Sequence, residues 1–160
     1  MGVSIMEETE MRIRRSEKIR RTTNLMVVGF IVMMIIFFFA KLPINMAVWF
    51  VPFKVEAPNY IPFTVENRYS KIVGYNKVKI VYENQDGSLT TWVTSKIGWN
   101  NVSSWDEKIT LENGTAAYYT ETDDVQMISW RKDKVEYAID YSRDKSLPKD
   151  ELIKIASSIK

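Results

Sequence analysis

The sequence predicts an α+β protein: an N-terminal transmembrane helix, then an antiparallel meander sheet covered by a C-terminal amphipathic helix. Three observations carry that reading. Residues 25–40 are all apolar or glycine; from Lys77 onward apolar residues alternate with polar ones; and Leu152, Ile155, Ala156 and Ile159 recur at helical spacing.

With Asn24, Lys41 and Leu42 at its borders, the apolar run approaches the roughly 20 residues with which a helix crosses a bilayer. Arg12, Arg14, Arg15, Lys18, Arg20 and Arg21 precede it, and only Lys41 and Lys54 follow closely. The positive-inside rule then leaves the N-terminus in the cytoplasm and the remainder outside, a single-pass signal-anchor at the cell membrane. A cleaved signal peptide shares the charged leader, but no small-x-small site follows this run. Arg14, Arg15, Lys18, Arg20, Arg21 and Lys41 are thus expected to flank the membrane, with Lys41 snorkelling to the headgroups.

The expected division is a basic cytoplasmic tail over 1–23, a transmembrane helix over 24–42, an interfacial segment and connector over 43–59, and an extracytoplasmic sheet-plus-helix domain over 60–160. Residues 44–53, with Trp49 and Phe50, either extend the membrane helix or lie along its surface. Pro52, Pro58 and Pro62 then favour extended backbone leading into a first strand.

Val78, Ile80 and Tyr82 alternate with Lys77, Lys79 and Glu83, which gives one buried and one wetter face. Asp86-Gly87 marks a turn, and residues 89–94, rich in β-branched and aromatic side chains, make the returning strand. Asn113-Gly114 lies between residues 108–112 and 115–119, as a two-residue type I′ turn requires. Further strands are expected over 125–130 and 134–140, joined tightly through 131–133. Pro148 opens the last helix, and Asp150 and Glu151 complement its dipole. A pure β sandwich would leave the apolar stripe of that helix without a partner.

At 160 residues there is room for one ordinary domain and an anchor. The chain has no cysteine and no histidine. That excludes a disulfide framework, a thiolate metal site and a thiol nucleophile, and it removes the commonest general base. The net charge of +2 is concentrated at the N-terminus, which argues against a nucleic-acid partner. No cofactor is expected.

Separate segments add a resemblance. Ala57-Pro58-Asn59-Tyr60-Ile61-Pro62 looks like an opening proline motif; Asn113-Gly114 with Ala117 and Tyr118 looks like a central hairpin; Ile128-Ser129-Trp130 with Tyr137 looks like paired closing strands. Together with the terminal stretch from Lys149 to Ile159 they resemble the domain-of-unknown-function 4367 family of extracytoplasmic proteins from Gram-positive bacteria. The likeness runs from Ala57 to the end. The turn after Trp130 departs from it by lacking glycine, and Ser157 replaces a usual acidic residue. The resemblance implies an anchored outside module without an established reaction, similar in outline to half-barrel lipoprotein carriers.

The candidate ligand-binding residues are Trp92, Trp99, Trp105 and Tyr119, aromatics able to form a groove or a platform for sugar or peptide, against the plainer reading of a packed core. Gly98, Asn100, Asn101, Ser103 and Ser104 mark the segment around Trp99 and Trp105 as loop. Glu121, Asp123 and Asp124 match no calcium-loop spacing and read as solvated, so no metal is expected. Asp106, Glu107 and Asp140 would act as a glycosidase pair only across a cleft of about 5–10 Å, which nothing in the sequence places. The expected function is a non-enzymatic, membrane-anchored binding or interaction module, a sensor or envelope accessory. The alternative is a carrier-like domain that holds lipid or lipopeptide in a concave sheet. Expected partners are the membrane and either a membrane protein or an apolar or peptide ligand.

Overall fold

The computed structural model describes residues 2–100, 105–143 and 146–159, with side chains in its first helix at 11, 12 and 14–35. The chain divides into two compact units between Ala40 and Lys41. The first is a single helix, α1 (Gly2–Phe39). Arg14, Arg15, Lys18, Arg20 and Arg21 stand exposed on it, followed by exposed apolar side chains from Leu25 to Ile35.

Among the described residues no helix is long and apolar enough to cross a membrane, which overturns the transmembrane helix expected over 24–42. Within α1 the apolar run covers residues 25–39, which rise about 22 Å at 1.5 Å per residue. A bilayer core is about 30 Å thick.

The second unit opens with α2 (Ile44–Ala47) and a 3-10 turn (Val48–Phe50), which place Ala47 and Val51 inside. Residues 43–59 therefore belong to the same unit as the sheet. Seven strands follow: β1 (Asn67–Ile72), β2 (Lys77–Asn84), β3 (Gly87–Thr94), β4 (Glu107–Thr110), β5 (Ala116–Glu121), β6 (Gln126–Lys132) and β7 (Val135–Arg143). Helix α3 (Lys149–Ser157) follows β7.

All pairings are antiparallel, but the order β1-β2-β3-β7-β6-β5-β4 is not one continuous meander. Two meanders, β1-β2-β3 and β4-β5-β6-β7, are joined where β3 pairs with β7. The reason is visible in the side chains: β3 and β7 are buried along most of their length, as central strands are, while β4 is short and mostly exposed, as an edge strand is.

Two turns also differ from expectation. Asn113 has no positive φ, whereas Gly114 has φ +81° and donates its N–H to the Leu111 carbonyl. This is a three-residue loop closed by a left-handed glycine rather than a type I′ turn. The two-residue turn with positive φ at both positions lies at Asp133 (+50°) and Lys134 (+64°), between the paired Lys132 and Val135.

Val78, Ile80, Leu89, Val93, Ile128 and Ile139 point to one face and are buried. Leu152, Ile155 and Ala156 of α3 complete that core. The ends of the helix are tied in as well. Ser157 Oγ accepts the Glu112 N–H at 3.1 Å, and Gln126 exchanges two hydrogen bonds with the Leu147 backbone at 2.7 and 2.8 Å. Glu56, 7% exposed, pairs with Lys54 and with Lys132, the latter at 2.6 Å, and so fastens the entering chain to β6. Burial pushes its carboxyl up, but the two ammonium groups outweigh this and hold it below the ordinary glutamate value.

Ile155→Ala should therefore lower the unfolding free energy by about 2–5 kcal/mol in urea titration, because it empties a fully buried site between helix and sheet. Exposed Lys154→Ala should change it by no more than about 0.5 kcal/mol. Equal losses in the two variants would show that α3 is not seated on the sheet.

Candidate functional site

Strand alternation sends the other set of side chains to the face opposite α3. One row crosses all seven strands: Lys71, Lys79, Trp92, Ala138, Ser129, Tyr118 and Lys108, each paired with the next. A neighbouring row carries Lys77, Thr94, Glu136 and Arg131. The row on the other side carries Val81, Thr90, Asp140, Met127 and Thr120.

Glu136 is only 1% exposed, and both carboxylate oxygens are engaged by backbone. The N–H groups of Gly98 and Asn100 donate to Oε2 and Oε1 at 2.8 Å each, and Arg131 Nε donates at 3.3 Å. A buried carboxylate needs such partners, since removing a charge from water without them costs several kcal/mol. Gly98 has φ +77°, a conformation that a side chain would strain, so the glycine is what lets the turn bend back to Glu136. The turn is fixed at its start too, where Thr94 Oγ1 donates to the Asn76 carbonyl at 2.8 Å and accepts the Lys96 N–H at 3.0 Å.

The clamp sets Trp99 against Trp92, with ring centroids 5.3 Å apart and a 48° tilt. The Trp92 indole N–H donates to Asp140 Oδ2 at 2.7 Å. Burial pushes the Asp140 carboxyl above the ordinary aspartate value, against the pull of the indole N–H and the Lys79 charge. Lys77 Nζ stands 4.0 Å from the Trp99 centroid and 5.5 Å from that of Trp92, and Lys79 Nζ stands 5.2 Å from Trp92. Desolvation and the neighbouring Lys96 charge push the Lys77 ammonium down.

Beyond the clamp an open groove of about 320 Å³ is lined by Thr115, Ala116, Tyr118, Ser129, Trp130, Arg131 and Glu136. Ser129 Oγ donates to the Tyr137 carbonyl at 2.8 Å and accepts from Asn100 Nδ2 at 3.4 Å, so the turn forms one rim.

Of the four aromatic candidates, Trp92 and Trp99 are brought together here. Trp105 is half-buried just ahead of β4; residues 101–104 of its loop, including Asn101, Ser103 and Ser104, lie outside the described residues. Tyr119 lies on the helix side, where its hydroxyl donates to Glu121 at 2.6 Å and accepts from Gln126 at 3.2 Å. Lys41 belongs to the sheet unit, 3.8 Å from Glu83 and 4.3 Å over the Tyr69 ring.

The carboxylates considered for chemistry are dispersed. Glu107 pairs with Lys149 at 2.6 Å, and Asp106 accepts from Thr120. Thr120 and Asp140 lie two strands apart, about 10 Å, with Met127 between. Glu121, Asp123 and Asp124 line a separate open hollow of about 390 Å³. Among the described residues no group of three or more acidic side chains could hold a metal ion.

Sequence reasoning missed Glu136, Lys77, Lys79 and Asn100. In sequence Glu136 is one more polar residue in an alternating strand, and only Gly98 hints at the turn that covers it.

The family described as "Domain of unknown function (DUF4367)" matches residues 56–159, well over half of the chain. No curated protein and no solved structure matches.

The raised Asp140 carboxyl has a consequence for pH dependence. Above its ordinary value of 3.8 the unfolded chain releases this proton while the folded chain keeps it. Stability from this residue is complete below that value and declines as pH rises through the higher folded pKa. Asp140→Asn should remove that decline, so the stability difference between wild type and variant, followed by urea unfolding between about pH 3.5 and 7, should change with pH. A difference that stays constant would place Asp140 in water.

Proposed function

We propose that this chain, which belongs to the family described as "Domain of unknown function (DUF4367)", is a non-enzymatic binding module that takes its ligand on the helix-free face of the sheet. The observation that carries the reading is the clamp at Glu136. A fully buried carboxylate is retained there to hold a loop turn on an open surface, where it adds nothing to the apolar core. Shaping a surface in advance lowers the ordering cost of binding.

The groove beside the clamp mixes the polar side chains of Thr115 and Arg131 with the apolar surface of Ala116, Trp130 and the half-buried Tyr118. Such a mixed lining suits a ligand that carries both polar groups and apolar faces, as a sugar or a peptide does. The apolar face of the sheet is filled by its own side chains and α3, which leaves the carrier reading with less support. Glu136 and Asp140 are each engaged in structural hydrogen bonds, which favours binding over catalysis.

The test is a screen of the full chain, kept in nonionic detergent, on arrays of soluble glycans and peptides. Tyr118→Ala and Thr115→Glu should weaken the strongest array binding at least tenfold and leave the melting temperature within a few degrees. Array binding that ignores both changes, or no array binding at all, would overturn the reading.

A further inference from the structure

The β1–β3 half of the helix-free face concentrates positive charge. Lys71 and Lys79 are direct cross-strand partners, and Lys77 and Lys96 are close enough for the Lys96 charge to depress the Lys77 ammonium. Like charges directly opposite one another destabilise a sheet. Among the described residues none of these four lysines makes an ion pair within 4.0 Å. The nearby carboxylates are hydrogen-bonded or paired elsewhere: Glu83 to Lys41, Glu136 to the backbone of the turn, and Asp140, which also feels the Lys79 charge, to the Trp92 indole.

Three of the ammonium groups are held over aromatic rings, Lys71 at 5.8 Å from Tyr69, Lys77 at 4.0 Å from Trp99 and Lys79 at 5.2 Å from Trp92. Cation–π attraction keeps them in place without neutralising them. Trp99, half-buried beside Lys77 and fixed by the Glu136 clamp, presents apolar ring surface next to positive charge.

We infer that the ligand of this face is an anionic saccharide chain, whose rings carry carboxylate or phosphate groups, docked on Lys71, Lys77, Lys79 and Lys96 beside Trp99. The inference rests on the binding reading above and specifies its ligand class. A sheet face suits such a chain better than an acidic peptide. An extended peptide binds through main-chain hydrogen bonds at a sheet edge, whereas the backbone groups of β2 and β3 are engaged in their own ladders and Ser70 on the outer edge of β1 is bonded to Leu42. Charged groups and sugar ring faces can be read by side chains alone, with the half-buried Thr115 and Asn100 at the groove for hydroxyls.

The experiment measures binding of the full chain in nonionic detergent to polygalacturonate and to a phosphomannan, with dextran as the neutral saccharide and polyglutamate as the acidic peptide. At least one of the two anionic glycans should bind, weaken with added salt, and bind Lys77→Gln/Lys79→Gln at least tenfold more weakly. Arg14→Gln/Arg15→Gln, which alters charge only on α1, should leave that affinity within twofold. Failure of both anionic glycans, or indifference of their binding to the Lys77 and Lys79 changes, would overturn the inference. Array binding sensitive to Tyr118→Ala would then still uphold the binding reading itself. Dextran binding as tightly would remove the requirement for charge, and polyglutamate binding as tightly would replace the saccharide with an acidic peptide.

Discussion

The pairing of β3 with β7 is the constraint on which the rest of the second unit depends. Trp92 and Asp140, joined across this seam, are 48 residues apart in the chain. Without the seam there would be two small meanders, neither wide enough to bury α3. Closing so long a loop costs conformational entropy before any contact compensates it, and the compensation is large because Leu89, Thr91, Val93, Tyr137 and Ile139 are all buried along the join. The same seam builds the opposite face. Trp92 meets Asp140 across it, and the turn that follows β3 is held by Glu136 of β7.

Buried charge marks two of the places where irregular chain meets the sheet. Glu56 fastens the entering segment to Lys132 at the end of β6, and Glu136 fastens the turn at 95–100. Tyr137 lies beneath the first of these contacts, and burial, aided by the Glu56 charge, pushes its phenol well above the ordinary tyrosine value, which keeps it neutral. Buried ion pairs contribute little net stability compared with apolar replacements. Here they select one path for segments that the hydrophobic pattern leaves free to wander.

Local elements were legible in the sequence because their physics is local. The alternation at 77–83 is β2, and the helical spacing of Leu152, Ile155, Ala156 and Ile159 is the buried stripe of α3. Asn113-Gly114 marked a hairpin but not its turn type, since only Gly114 takes a positive φ. The tighter turn fell on Asp133 and Lys134, which carry no glycine signal. Strand order was illegible, because alternation says which face a residue takes and nothing about which strand is its neighbour. At the site, aromatic content pointed to Trp92 and Trp99. It could not separate them from Tyr119, whose place on the helix side follows from register alone. The clamp was invisible because its acceptor and its two donors are joined only by the fold.

A seam that joins two meanders also positions a preformed turn, and that turn sets an aromatic pair beside Lys77 and Lys79. The most direct measurement is amide hydrogen exchange of Gly98 and Asn100, followed by NMR in the wild type and in Glu136→Ala. Both amides should be protected in the wild type and should exchange at least tenfold faster in the variant, while the amides of β2 stay protected. Gly98 and Asn100 amides that exchange freely in the wild type, or that keep their protection without the carboxylate, would contradict the account.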